Sequence, residues 1–415
     1  MSRAAILMWM VVIVAGCAAT LPAVPGKGGP AWYELTSEHF SVWTDAELER
    51  ARELIAEMER LREVIVGVAF PSAPSSRIVA IIVRNDEELR IVRADDRGIP
   101  LVRTASSVLY QPVICFSAFS NVNVTDVALN NQLSRVIASA VLARQPRWFT
   151  LGFATYFQTL NVDLGNTRIY VGNPPRTGTL PMRMAALMPV SRLLLWGVVD
   201  EAKFDLQVYS TAWALFTFLI NEHRGELLHY IDLLHVPAAA ASDHDPSQAM
   251  RDWAAAFPSL PIDRVDQELR GWLVKGKHLV VYYDLHEPAA PHTERALSDA
   301  EVHAIEGYLS TADSQEREHV AASLALDPTN VLARVLDVSH RKHLPSVAEA
   351  SATSAAHPDD WRAWWLEVLA RRATRTDDPA IATAAARACT LIALNPALRP
   401  PADLCAARDA QARSA

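Results

Sequence analysis

Between Glu47 and Ile65 an apolar residue returns every third or fourth position. Leu48, Ala51, Leu54, Ile55, Met58 and Leu61 fall on one stripe, which predicts an amphipathic helix. Ahead of it, Tyr33-Glu34-Leu35 and Phe40-Ser41-Val42-Trp43 read as two short strands. After it, residues 77–83 are a β-branched run, and residues 101–119 carry further strand-like runs around 108–116. Two helices are then predicted in close succession, over 126–143 and 148–160, parted at Gln145-Pro146 because proline cannot continue a helix. From about Ala296 the pattern is Ala-rich and helical, with no strand period. There Asp327-Pro328-Thr329-Asn330, His357-Pro358-Asp359-Asp360 and Asn395-Pro396 recur at intervals of 30 and 38 residues, each closing an apolar helix. The expected fold class is therefore α+β, a mixed domain over residues 31–290 followed by a helical domain over 291–415.

The amino-terminal pattern is of another kind. After Arg3, residues 4–14 are unbroken apolar, too short to cross a bilayer but of the length of a secretory h-region. The run ends in Val14-Ala15-Gly16-Cys17, which resembles a bacterial lipobox. The resemblance implies a lipoprotein signal peptide over residues 1–17, cut before Cys17, whose thiol is then acylated because thioether formation needs a nucleophilic sulfur. An ordinary signal peptide with a chance cysteine, or a short anchor left uncut, are the competing readings. Residues 18–30 are rich in Ala, Gly and Pro and read as a flexible tether. Ala18 resembles the sorting signal of lipoproteins sent to the outer membrane. In a two-membrane bacterium that implies a lipid-anchored protein of the cell envelope, facing the periplasm.

Composition narrows the partners. The chain has 415 residues, 50% of them apolar and 21% charged, which is enough material for a sizeable core. A net charge of −8 without any dense Lys/Arg run argues against nucleic acid, whose binders need a basic face. Cys115 lies in the apolar run Val113-Ile114-Cys115-Phe116 and reads as a small core residue. Cys389 and Cys405 flank a Pro-rich connection, and an oxidising periplasm makes them candidates for a disulfide. No CxxC or Cys/His cluster reads as a metal site, and no Gly-x-Ser-x-Gly elbow or phosphate-cradling loop occurs, so no cofactor is expected.

The helix pair carries the most specific pattern. Pro146-Arg147-Trp148-Phe149-Thr150-Leu151-Gly152-Phe153-Ala154-Thr155-Tyr156-Phe157 resembles the third-ligand helix of gluzincin-type metallopeptidases. Trp32-Tyr33-Glu34-Leu35-Thr36-Ser37-Glu38-His39-Phe40 resembles the opening strands of the lipoprotein branch of these enzymes. Tyr209-Ser210-Thr211-Ala212-Trp213-Ala214-Leu215 resembles the helix packed behind their cleft. Active members carry His-Glu-x-x-His on the first helix, two imidazoles and a general base gathered at one zinc ion, and a glutamate on the next helix. In matching register this chain has Asn131, Gln132 and Arg135, with Leu151 at the third ligand. An amide is a poor zinc donor, Gln132 cannot accept a proton near neutral pH, Arg135 is a fixed cation, and Leu151 has no lone pair. The resemblance thus implies a peptidase fold whose zinc site has been lost. Arg135 could then replace the metal electrostatically, paired with a nearby carboxylate. The competing reading takes the two helices as an amphipathic core pair whose likeness is accidental.

Other histidines offer little. His223, Glu226, His229 and His235 are spaced so that His223 and His229 point apart on a helix. His286-Glu287 is followed by Pro288, which forbids a helical zinc motif, and His340 and His343 flank Arg341 and Lys342 on what reads as a solvated face. The carboxy-terminal helices resemble degenerate tetratricopeptide repeats. Within them Trp361, Trp364 and Trp365 share a stripe that suits either core packing or a peptide-binding face. The function expected is that of a pseudo-metallopeptidase, a membrane-tethered lipoprotein that binds a protein or peptide partner or acts as a scaffold. An active peptidase, or another hydrolase using a non-standard site, is the alternative.

Overall fold

The computed structural model describes residues 22–70, 77–91, 101–103, 108–118, 127–162, 168–172, 187–195, 206–235, 246–275, 279–284, 293–341, 343–375, 377–395, 398, 400–401 and 403–405. The fold is mixed α+β. Its centre is a six-stranded sheet built from β1 (Tyr33–Thr36), β2 (Phe40–Thr44), β3 (Ile78–Val83), β4 (Leu101–Arg103), β5 (Val113–Ser117) and β9 (Thr293–Ala296). The strand order is β4-β5-β3-β2-β1-β9, with β2, β3 and β5 parallel and the remaining pairings antiparallel. The turn between β1 and β2 is tied to helix α1 (Leu48–Ala69): the Ser37 hydroxyl and the His39 amide both donate to Glu59 Oε1, at 2.5 and 2.9 Å.

Every residue of β3 and β5 is buried, because both faces of the sheet are covered. A strand covered on both sides is apolar throughout rather than alternating. The pleat still sorts side chains by parity. Ile78, Ala80, Ile82, Ile114 and Phe116 enter one core, and Val79, Ile81, Val83, Val113 and Cys115 enter the other.

Onto the first face pack α1, α3 (Val127–Val141), α4 (Arg147–Phe157), α5 (Val190–Leu194), α6 (Leu206–Glu222), α7 (Arg224–His235), α8 (Pro246–Ala256) and α9 (Val265–Lys275). A second sheet of β6 (Asn161–Val162), β7 (Arg168–Val171) and β8 (Val281–Asp284) flanks this side. On the other face, beside the short α2 (Asp86–Ile91), lie α10 (Asp299–Leu309), α11 (Asp313–Leu326), α12 (Val331–Arg341), α13 (Val347–Ala356), α14 (Trp361–Thr374) and α15 (Ala380–Ile392). Cys389 of α15 is bonded to Cys405 with a Cα–Cα distance of 5.8 Å, while Cys115 is buried and lies outside that disulfide. Among the described residues no helix is long and apolar enough to cross a membrane.

Packing continues across residue 290: Ile305, Leu336, Trp361 and Leu366 share one core with Val79, Ile81 and Val113 of the sheet. The sheet itself is completed by β9, which lies just past that residue and which polar Thr-Glu-Arg-Ala gave no apolar reason to expect. Ion pairs fasten it: Arg295 to Glu34 at 2.6 Å, and Glu294 to Arg52 at 2.6 Å. From residue 22 onward the amino-terminal segment is docked. Val24 is buried in the second core, residues Pro25–Lys27 make a 3-10 turn, and the Gly26 amide donates to Asp299 Oδ1 at 3.0 Å. The lipobox with Cys17 lies outside the described residues.

Candidate functional site

Helix α4 starts directly after Pro146, and every residue from Trp148 to Phe157 is buried. Its aromatic residues are core residues. Phe149 and Phe153 each meet Phe216 of α6 at 5.7 Å between ring centroids, and Trp148 meets Tyr230 of α7 at 5.4 Å. Gly152 lets α4 and α6 come together, since a Cβ there would stand 2.4 Å from the carbonyl oxygen of Ala212. The three segments Trp148–Phe157, 131–135 and 209–215 are thus neighbours on the first face of the sheet.

The four positions that the resemblance singled out fall as follows. Asn131 donates through Nδ2 to Gln158 Oε1 at 3.0 Å, across the gap between α3 and the end of α4. Leu151 lies seven residues before Gln158, two helical turns away on the same side of α4, and is buried in the core. Gln132 is partly buried. Arg135 shares the Asn131 side of α3, four residues on. Its Nε is buried and has no hydrogen-bond partner among the described residues. Burial pushes the guanidinium below the usual arginine range, opposed by the neighbouring Tyr209. No carboxylate among the described residues pairs with Arg135, so the expected ion pair is absent there; Tyr209 of α6 is its electrostatic neighbour instead. An amide, an aliphatic chain and a cation offer a metal nothing, but an unpartnered buried N–H is a strong donor toward an incoming acceptor.

A concave region lies between the sheet and the helical layer. A cleft of about 760 Å³ is lined by Glu34, Trp43, Leu109, Asp360, Trp361 and Arg362 among others. Arg362 clasps Asp360 through Nη2 at 2.6 Å, and Glu34 accepts from the Trp43 indole at 3.1 Å. Trp361 and Trp365, two of the three tryptophans suited to partner binding, are buried; each meets the Tyr110 ring edge-on at 5.4 Å. They are packing residues, although an edge of Trp361 reaches the cleft. Trp364 is partly exposed, with its indole donating to the Pro358 carbonyl at 3.0 Å. Tyr110 itself takes φ +54°, a left-handed backbone rare for a bulky residue.

Three of the histidines singled out by spacing are absorbed by carboxylates. His223 pairs with Glu226 at 2.8 Å, His340 with Glu316 at 2.7 Å and His343 with Asp337 at 2.7 Å. His286-Glu287 lies outside the described residues. Sequence reading passed over a cluster that the helical layer assembles: His303 and Glu306 of α10 with His319 of α11. The signal was a His-x-x-Glu pair on one helical face. Its third member sits on the next helix, where spacing along the chain gives no warning. No protein-family model matches the chain, and no curated protein sequence matches it.

Proposed function

We propose that the chain is a catalytically inactive homologue of gluzincin-type metallopeptidases, anchored through Cys17 to the periplasmic side of a bacterial outer membrane. In this reading its helix-pair cleft binds a protein or peptide partner. The observation that carries the reading is Arg135, a partly buried residue whose buried Nε lacks an acceptor among the described residues, standing where an active member would hold its second zinc-binding imidazole. Such a group is matched by a carboxylate or a peptide carbonyl, and it repels a metal dication. The carboxy-terminal helices, on the same reading, form a repeat-like layer that braces the sheet and adds the Trp361 cleft as a second contact surface.

Two measurements test this. Purified full-length protein is incubated with casein, with and without added zinc; no turnover is expected, and chelator-sensitive cleavage would defeat the proposal in favour of an active peptidase. A photo-crosslinking residue at Gln132 is then used in cells to capture whatever occupies the cleft. Saturable capture that disappears in Arg135→Leu is expected, whereas identical capture by a folded Arg135→Leu variant excludes Arg135 as the anchor.

A further inference from the structure

Helices α10 and α11 are antiparallel neighbours packed closely at Gly307, where an added Cβ would lie 3.4 Å from that of His319. The Ser323 hydroxyl crosses the same gap to the Ala300 carbonyl at 2.7 Å. Three metal-ligating side chains meet inside this contact. His303 Nδ1 and His319 Nδ1 are 3.1 Å apart, His319 Nδ1 and Glu306 Oε2 are 3.1 Å apart, and His303 Nδ1 and Glu306 Oε2 are 3.5 Å apart. Glu306 is only 2% exposed, and its Oε2 has no hydrogen-bond partner of acceptable geometry among the described residues. A buried carboxylate oxygen left this way is costly unless something positive completes it.

We propose that His303, Glu306 and His319 form a binding site for one divalent transition metal, with zinc the ion that two imidazoles and a carboxylate suit best. The separations carry the argument. Ligands at about 2.0–2.1 Å from a tetrahedral ion stand about 3.3–3.4 Å from one another, and the three donor atoms form a triangle with edges of 3.1, 3.1 and 3.5 Å. An ion just out of the plane of that triangle reaches all three with shifts of a few tenths of an ångström, on the order of 0.2 Å. Three protein ligands leave one tetrahedral position for water. His319 is the most exposed of the three, at 22%, so the ion enters past its ring. The ion clamps α10 to α11 close to where Gly26 of the amino-terminal segment bonds Asp299. This site is separate from the Asn131, Gln132, Arg135 and Leu151 positions and does not depend on the reading proposed for them.

The test uses the full-length protein with zinc or cobalt as the probe. Titration with Co(II) should give the visible bands of a tetrahedral ion at one equivalent, without thiolate charge-transfer absorption, and Zn(II) should displace it. His319→Ala, chosen because its side chain is the most exposed, and the nearly isosteric Glu306→Gln should each weaken binding by more than about 100-fold, since even a group one bond removed from a ligand is worth roughly 10- to 100-fold. Absence of any one-equivalent binding by the unmodified protein overturns the proposal without reference to a variant. So does binding that survives in both variants, which would put the metal elsewhere.

Discussion

Replacing Gly152 with alanine puts a methyl group where the backbone of α6 already lies. The new carbon would stand 2.4 Å from the Ala212 carbonyl oxygen and 2.9 Å from Phe216 Cβ. Backbone cannot rotate aside, so α4 and α6 must part by about 1 Å, enough to forfeit a quarter to a half of the dispersion energy of each contact across the seam. Phe149, Phe153 and Tyr156 all pack on Phe216 there, with centroids at 5.7, 5.7 and 5.4 Å. Overpacking of this kind costs about 3 kcal/mol at the upper end of its usual range. Alanine returns about 1 kcal/mol through its better helix propensity, leaving a net loss of about 2 kcal/mol. Gly271→Ala is the control, because that glycine is exposed within α9 and an added Cβ meets nothing within 4 Å. It should stabilise by about 0.5–1 kcal/mol from propensity alone. Urea denaturation of both variants beside the unmodified protein reads the difference. If Gly152→Ala is as stable as Gly271→Ala, the close approach of α4 and α6 is not real.

Burial, reinforced by the hydrogen bond and charge of Glu88, pushes the Asp45 carboxyl up to about 7. The folded state therefore holds a proton that the unfolded chain releases at lower pH, so this contribution to stability is present in acid and lost as pH rises toward neutrality. Asp45→Asn should match the unmodified protein near pH 4 and exceed it in urea midpoint near pH 8; a gap that does not change with pH contradicts the assignment. Cys405→Ser opens the 16-residue loop closed on Cys389 and should cost about 3 kcal/mol. The loss should equal the effect of reductant on the unmodified protein and be insensitive to reductant in the variant.

The elements with a strong period were readable from the chain. The stripe starting at Leu48 became α1, the run around Ile78 became β3, and the two helices about Pro146 lie where the break predicts, within a few residues at each end. Pro328, Pro358 and Pro396 each follow the end of a helix, α11 at Leu326, α13 at Ala356 and α15 at Ile392. Strand β9 was not readable, because an edge fixed by Arg295 and Glu294 ion pairs needs no apolar alternation. The docking of Val24 was hidden for a similar reason, since one buried side chain between Pro and Gly residues makes no pattern. Of the site, the identities of Asn131, Gln132, Arg135 and Leu151 could be seen, but the loneliness of the Arg135 Nε could not. The meeting of His303 with His319 depends on how two helices pack, and neighbours in space sixteen residues apart leave no local trace.

Pairing residues 33–36 with 293–296 has a consequence for how the chain is assembled. Strand β1 is made early, yet its outer hydrogen-bonding edge is filled only after some 260 further residues have been made, taking the difference between Tyr33 and Thr293. Contacts of such long sequence separation close late and slowly. During that interval the hairpin of β1 and β2 presents an open row of amides and carbonyls, to which an extended segment of another nascent copy can add. Delivery of β9 ends that exposure, and the Arg295 and Glu294 ion pairs select it over an uncharged intruder.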